Sequence, residues 1–351
     1  MPFPVRFSPP VTAAAAAAGA VLAAVALRRY LSSSRQRPST SVTMSAHGSS
    51  SAATLVVSGK SPEDQELLAS AASSLSLGEG EGVEKVTVAL GSDSPVAGKD
   101  GGFDAGAYMD ALQARRFGRW MLWSPRLAST QDLIAHFRSA SFASLTCSSK
   151  GEMQDARKLP LMQYVVCLSM TEAIKELCRA KGLPELDVRI KWPNDLYLKG
   201  LKVGGILCSS SYEQKVYNIC TGIGLNVDNE KPTTCLNDGI QEINANAPRL
   251  KREDIMAFFF NKFENLFETF SNRGFQALEK QYYDSWLHSG QKVVVQDVHE
   301  GQSVGSVVTI QGLTPAGYLH AIGHDGQSYE LHPDGNSFDF FAGLVRRRME
   351  A

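Results

Sequence analysis

Asp187-Val188-Arg189-Ile190-Lys191-Trp192-Pro193-Asn194-Asp195, followed shortly by Lys202-Val203-Gly204-Gly205-Ile206-Leu207, is the stretch on which the fold turns. Asp187 to Trp192 mixes apolar and polar residues and reads as a strand. Pro193 removes a backbone donor and Asn194-Asp195 favour a turn, so the strand stops there and leaves both side chains at its end. Lys199-Gly200 supplies a hairpin-like turn, and Lys202 opens a second apolar strand with two adjacent glycines. A carboxylate and an ammonium can then face each other at the mouth of a sheet, beside backbone bare enough for a ligand to approach. The plainer alternative is a surface hairpin with a solvated ion pair, worth little.

Outward from this hairpin, helical and strand patterns mix. Phe117 to Trp123 reads as a strand. Leu127 to Asp132 starts a helix that Ser129 or Thr130 can cap. Met162 to Lys181 carries an apolar stripe at helical spacing and stops at Gly182 and Pro184. Tyr217 to Val227 is an apolar strand with Gly222 and Gly224. Its Gly222-Ile223-Gly224-Leu225-Asn226 segment lacks the third glycine and following helix of a dinucleotide fingerprint. Arg252 to Phe270 and Phe275 to Trp286 read as helices, with Phe258-Phe259-Phe260 as core. From Gln291 the period becomes two, with short strands at 293–295, 304–310, 318–322 and 328–331, which fits a small β-barrel. The fold class is α+β.

The N-terminal part differs in kind. The first acidic residue is Glu63, whereas Arg6, Arg28, Arg29, Arg35 and Arg37 precede it among many Ser and Thr. That composition points to an organellar transit segment, chloroplast or mitochondrial, over residues 1–44. A secretory signal, a membrane anchor and plain disorder compete with it. The six cysteines show no disulfide framework. The Thr12–Leu27 apolar run is shorter than the roughly 20 residues of a span, so no stable membrane insertion of the mature form is expected. A start at Met44 would give a cytosolic form. Residues 45–110 read as a linker with a helix at about 62–74, a strand at 84–90 and a loop-like 91–106, forming a small N-terminal module. With 35 basic and 36 acidic residues there is no basic excess, so no nucleic-acid partner is expected. Seven scattered histidines and the lack of Cys-x-x-Cys, His-Glu-x-x-His, Walker A and Gly-x-Ser-x-Gly strings leave no resident metal cluster to expect.

The string Lys191-Trp192-Pro193-Asn194-Asp195-Leu196-Tyr197, then Lys202-Val203-Gly204-Gly205-Ile206-Leu207, resembles the signature of biotin–protein ligases (holocarboxylase synthetases), and the plant-type enzymes most nearly. The likeness runs from about Gly118 to about Arg347. It implies a catalytic domain over 111–287 similar to class II aminoacyl-tRNA synthetases and an SH3-like domain over 288–351. It also implies ATP with Mg²⁺, biotin as substrate, and biotin carboxyl carrier domains of carboxylases as partners. By the same likeness Lys202 and Asp195 are catalytic. Ser129, Thr130, Gln131, Lys202, Gly204 and Gly205 hold biotin. Lys191, Trp192, Asn194, Gly222, Gly224 and Asn226 line the nucleotide site, with Trp192 equally readable as core. Asp195 as a metal ligand competes with its assignment to the acceptor lysine. Gly317-Tyr318-Leu319 and His332 to Phe338 resemble parts of the ligase C-terminal domain, although a plain turn between strands also explains them.

The chain departs from the family pattern twice. Gln131 stands where many members carry Asn. The Gly-Arg-Gly-Arg-type loop that closes over biotinyl-adenylate, and the strand after it, have no match between Phe137 and Pro160, where Arg138 and Arg157 are isolated. An internal deletion and a weakly active or inactive chain are therefore expected. A lipoate ligase-like enzyme and a non-catalytic biotin- or carrier-binding form are the alternatives. A repressor role is rejected, because no helix-turn-helix is legible.

Overall fold

The computed structural model describes residues 53–66, 86–90, 103–123, 145–146, 158–213, 216–229, 234–299, 302–333, 336–339 and 344–347. The expected targeting segment, Ser129-Thr130-Gln131 and nearly all of the 137–160 interval lie outside these. The chain divides into two compact units.

The first unit holds the described part of the expected 45–110 module together with Trp120–Trp123, which lies beyond that span. Strand β1 (Ala53–Gly59) runs parallel to β2 (Val86–Leu90) and antiparallel to β3 (Trp120–Trp123), in the order β2-β1-β3. Residues 62–66 are helical. Helix α1 (Ala105–Ala111) begins at Asp104, whose carboxylate accepts the Ala107 N–H. Lys60, at the end of β1, donates to the carbonyls of Met109 and Leu112 at the end of α1, where helical carbonyls lack partners. Asp64 is 8 % exposed and accepts from Trp120 Nε1 at 2.8 Å, Arg119 Nη2 at 2.5 Å and Ser61 Oγ at 3.0 Å. Burial works to raise its pKa, but the donors and the guanidinium outweigh it and hold the carboxyl below its ordinary value. Asp64→Ala is expected to destabilise this module by about 2 kcal/mol, because it orphans the indole N–H and the guanidinium. Chemical denaturation followed by Trp fluorescence checks this, with exposed Glu66→Ala as the silent control. The same unit includes 209–220, where β4 (Leu145–Thr146) pairs with β8 (Val216–Leu225) at Leu145↔Ile219.

The second unit is built on two long helices. Helix α2 (Leu159–Ala180) starts with a proline in its first turn and ends before Gly182. It packs on α4 (Arg252–Arg273), whose Phe260, Phe263, Phe267 and Phe270 are at most 2 % exposed. Phe259 and Phe260 are core as expected, while Phe258 is half-buried. The single helix expected over 275–286 is instead a 3₁₀ turn, Phe275–Ala277, and then α5 (Glu279–Ser285), with Leu278 N bonding Phe275 O between them. The short α3 (Leu236–Ile243) was not legible in the sequence, since its cap is the buried thiol of Cys235, which accepts the Asp238 N–H at 3.4 Å.

Strands β5 (Val188–Lys191), β6 (Asp195–Leu198) and β7 (Leu201–Glu213) are successive antiparallel neighbours, with β8 (Val216–Leu225) beyond β7. The β6–β7 turn has φ 51° at Lys199 and 80° at Gly200, left-handed at both centres as a two-residue hairpin turn requires. The C-terminal strands β9 (Lys292–His299), β10 (Gln302–Leu313), β11 (Leu319–Gly323), β12 (Ser328–Leu331), β13 (Asn336–Asp339) and β14 (Leu344–Arg347) form one sheet, ordered β12-β11-β10-β9-β14-β13. Its pairs are antiparallel except β14 with β9. Helices with mostly antiparallel sheets make the expected α+β mixture. Among the described residues, no helix is long and apolar enough to cross a membrane.

Candidate functional site

The quoted hairpin brings the catalytic candidates together, and a bulge is what does it. Asp195 pairs with Gly205 and Tyr197 with Lys202, with a register shift between Leu196 and Tyr197. In a regular ladder Lys202 and Gly205 would face opposite ways, being an odd number of residues apart. The extra residue in β7 turns Lys202 onto the face of Asp195, Tyr197 and Gly205. Lys202 Nζ then lies 2.6 Å from Asp195 Oδ1, with the lysine side chain 54 % exposed and the aspartate 22 %. Lys191 pairs with Asp195 across β5–β6, so it belongs to the same face, its ammonium 6.0 Å from the Tyr197 ring centre. Burial, and secondarily Asp195, push the Tyr197 hydroxyl above its ordinary value.

Bare backbone borders the pair. A Cβ on Gly205 would stand 3.1 Å from Asp195 Oδ1, and one on Gly204 only 2.7 Å from the carbonyl oxygen of Gly224. Gly204 is thus what lets β7 close on β8, and Asn226 N–H donates to Val203 O at 2.7 Å beside it. Gly204→Ala is expected to lose about 2 kcal/mol of stability through forced separation of these strands. Thermal denaturation checks it, and Gly200→Asn, with open space around it, is the tolerated comparison. Asn226 also donates from Nδ2 to Thr234 O, and Gly222 and Gly224 lie on the same strand.

Asn194 fastens the turn to β7: its side-chain amide donates to Ile206 O at 2.6 Å, and Ile206 N–H donates to its carbonyl at 2.8 Å. Trp192 is 3 % exposed, so its ring belongs to the packed interior. Its indole N–H donates to Tyr164 OH at 2.9 Å and, more weakly, to Gly317 O at 3.3 Å. Tyr164 OH in turn donates to Gly317 O at 2.6 Å. Gly317 has φ 91°, and a Cβ there would meet Leu161 and Tyr164 at 3.0 Å, so only glycine suits the turn between β10 and β11. The Trp192–Pro193 bond is cis. Ser129, Thr130 and Gln131 lie outside the described residues.

Sequence reasoning missed His288. It is fully buried, and its Nε2 accepts the Trp192 backbone N–H at 2.9 Å. Its Nδ1 lies 2.9 Å from Gln291 Oε1. Burial, aided by Lys191 and opposed by the Gln291 bond, pushes its pKa down to about 4. The one signal for it was indirect: a strand ending in Trp-Pro leaves an N–H that must find an acceptor.

Residues 133–226 match the Biotin/lipoate A/B protein ligase family, and residues 288–343 match the Biotin protein ligase C terminal domain. The chain is 47 % identical to biotin–protein ligase 1, chloroplastic, of Arabidopsis thaliana over 323 residues, covering 84 % of this chain and 88 % of that protein. It is 48 % identical to biotin–protein ligase 2 of the same plant over 292 residues, covering 76 % and 89 %. Among solved structures, biotin protein ligase from Aquifex aeolicus in complex with biotin and ATP is 24 % identical, with a TM-score of 0.37, covering 51 % of this chain and 70 % of that one. Identity approaching half along nearly nine-tenths of two plant ligases is decisive: this chain belongs to the biotin–protein ligase family.

Proposed function

We propose that this chain joins biotin to a lysine of a carboxylase carrier domain in two steps. The biotin carboxylate attacks the α-phosphorus of ATP, giving biotinyl-5′-AMP and releasing pyrophosphate. The acceptor lysine amine then attacks the acyl carbon, and AMP leaves with the bonding pair. The observation that carries this reading is Lys202 held against Asp195 beside bare Gly205. An ammonium on that face stabilises negative charge as the carboxylate meets the phosphate. Asp195 accepts the proton that the lysine amine must lose, or orients that amine. Gly204 and Gly205 let biotin lie against backbone, with Ser129, Thr130 and Gln131 supplying partners for its ureido ring. Lys191, Asn194, Gly222, Gly224 and Asn226 border the nucleotide. Trp192, being buried, supports that border from behind.

No group of three or more His, Cys, Asp or Glu among the described residues is placed to hold a metal ion. Mg²⁺ would come in on the nucleotide phosphates and keep most of its waters. The class II synthetase-like domain is taken as 111–287, the SH3-like domain as 288–351, and the N-terminal module as 45–110. Residues 1–44 are assigned to transit, to chloroplast or mitochondrion, with a cytosolic form if the chain starts at Met44. The chloroplastic name of one Arabidopsis relative supports the first destination.

A second reading is a binder without turnover, and one observation favours it. The alignment with the first Arabidopsis relative runs over 323 residues yet covers 84 % of this 351-residue chain, so part of that relative has no counterpart here. Loss of the adenylate-covering loop between Phe137 and Pro160 would leave such a difference in length, and it would admit water to the mixed anhydride. The test incubates the purified chain, from Met44, with biotin, MgATP and a carrier domain, and reads biotin on the carrier by mass spectrometry. Labelled carrier supports the ligase. Unlabelled carrier, together with biotin affinity and a loop-restored chain that works, supports the binder. No biotin affinity in either chain sinks both.

A further inference from the structure

We infer that His288 is a positioning residue for the signature turn, its imidazole holding the Trp192 N–H and so fixing where Asn194 and Asp195 stand. Among the described residues, strand β5 ends the order β4-β8-β7-β6-β5, so its outward backbone groups face no named strand. The segment that follows α5 serves them instead. Leu287 N–H donates to Ile190 O at 2.9 Å, and Trp286 forms a parallel bridge with Ile190. The next outward group is the N–H of Trp192, and it goes to His288 Nε2. Pro193 follows without an N–H, so this bond is the last backbone tether before the turn.

The tautomer follows from the partners. A backbone N–H can only donate, so Nε2 carries the lone pair and the proton sits on Nδ1, where Gln291 Oε1 accepts it. The far side is anchored as firmly. Gln291 N–H donates to His288 O, Gly290 N–H to Ile310 O, and Ile310 N–H to Gln291 O. The His288–Gln291 turn is therefore locked to β10 while its ring grips the end of β5. Tyr164 and Trp192 meeting at Gly317 O give a second tie between the C-terminal sheet and the same tryptophan. The C-terminal sheet thus sets the position of the Asp195–Lys202 pair without contributing an atom to it.

For turnover the inference rests on the proposed ligase reading; for the backbone it does not. The test uses the full chain with His288→Leu, which keeps bulk and accepts nothing, and His288→Gln, whose Oε1 reaches where Nε2 stood. Amide hydrogen exchange at Trp192 and on to Asp195 is expected to quicken about tenfold in H288L and to return to the parent rate in H288Q. Transfer of biotin from supplied biotinyl-5′-AMP to a carrier domain is expected to fall about tenfold in kcat in H288L, with KM for the adenylate unchanged, and to recover in H288Q. Unchanged exchange in H288L, or H288Q behaving like H288L, overturns the inference. Should H288L fail to fold, H288Q decides alone, since parent-like exchange supports the tether and quickened exchange overturns it. A parent chain that transfers nothing from the adenylate counts against the ligase reading, and the exchange result still decides for His288.

Discussion

Lys202→Gln is expected to slow biotinyl-adenylate formation by about 10²–10³-fold, the range seen when one donor to developing negative charge is removed from an active site. The same change should leave stability almost untouched. The Lys202–Asp195 pair is short, but the lysine is more than half exposed, and such pairs contribute about 1 kcal/mol or less. Function and stability therefore separate cleanly at this position, which a structural role could not do. Pyrophosphate release measures the first step, in the parent and, where the parent rate sits at background, in the loop-restored chain. A K202Q rate equal to the parent's removes the lysine from the mechanism. Asp195→Asn provides the contrast: it should slow transfer to the carrier by about 10²-fold and spare adenylate formation, because only transfer needs a proton taken from an amine.

The second large effect is on stability against pH. His288 is held neutral, with a pKa near 4 against an ordinary value of 6.5. The unfolded chain binds a proton there below about pH 6.5, and the folded chain does not until about pH 4. Its contribution is therefore fully present above about pH 6.5, declines as pH falls, and is gone near pH 4, a loss of about 3 kcal/mol. A protonated ring would also set an N–H against the N–H of Trp192. Denaturant unfolding at pH 7 and pH 4.5 measures the slope, and H288Q, which has nothing to titrate, subtracts the carboxylates that contribute elsewhere. Identical slopes in parent and H288Q would mean that the ring is already charged, or solvated, in the folded chain.

The signature hairpin was readable from its residues alone. Pro193 and Asn194-Asp195 stop a strand by turn chemistry, Lys199-Gly200 reverses it, and the literal string points to the family. The bulge was not readable. The sequence shows Lys202 and Gly205 an odd number apart, and nothing local says that Val203 will be the extra residue that brings them to one face. Trp192 could be core or stacking surface on composition, and only its burial beneath Tyr164 and Gly317 places the ring inside. The long-range pairings were equally opaque. The strand expected at 117–123 forms at Trp120–Trp123, but its partner β1 lies more than sixty residues earlier, fixed by the Asp64 cluster rather than by any hairpin. Helix α3 escaped because a thiol cap has no place among the usual start signals.

The tether at His288 also bears on how such chains can be recombined. A junction drawn at residue 288, where the sequence places the start of the last domain, falls inside a single hydrogen-bonded joint that runs from Ile190 and Trp192 through Leu287, His288 and Gln291 to Ile310. A chimera that takes its C-terminal sheet from another ligase from that point on would inherit a foreign grip on its own signature turn. Moving the crossover ahead of β5, so that residues 188–195 travel with 274–291 and the sheet they serve, keeps the whole joint from one parent.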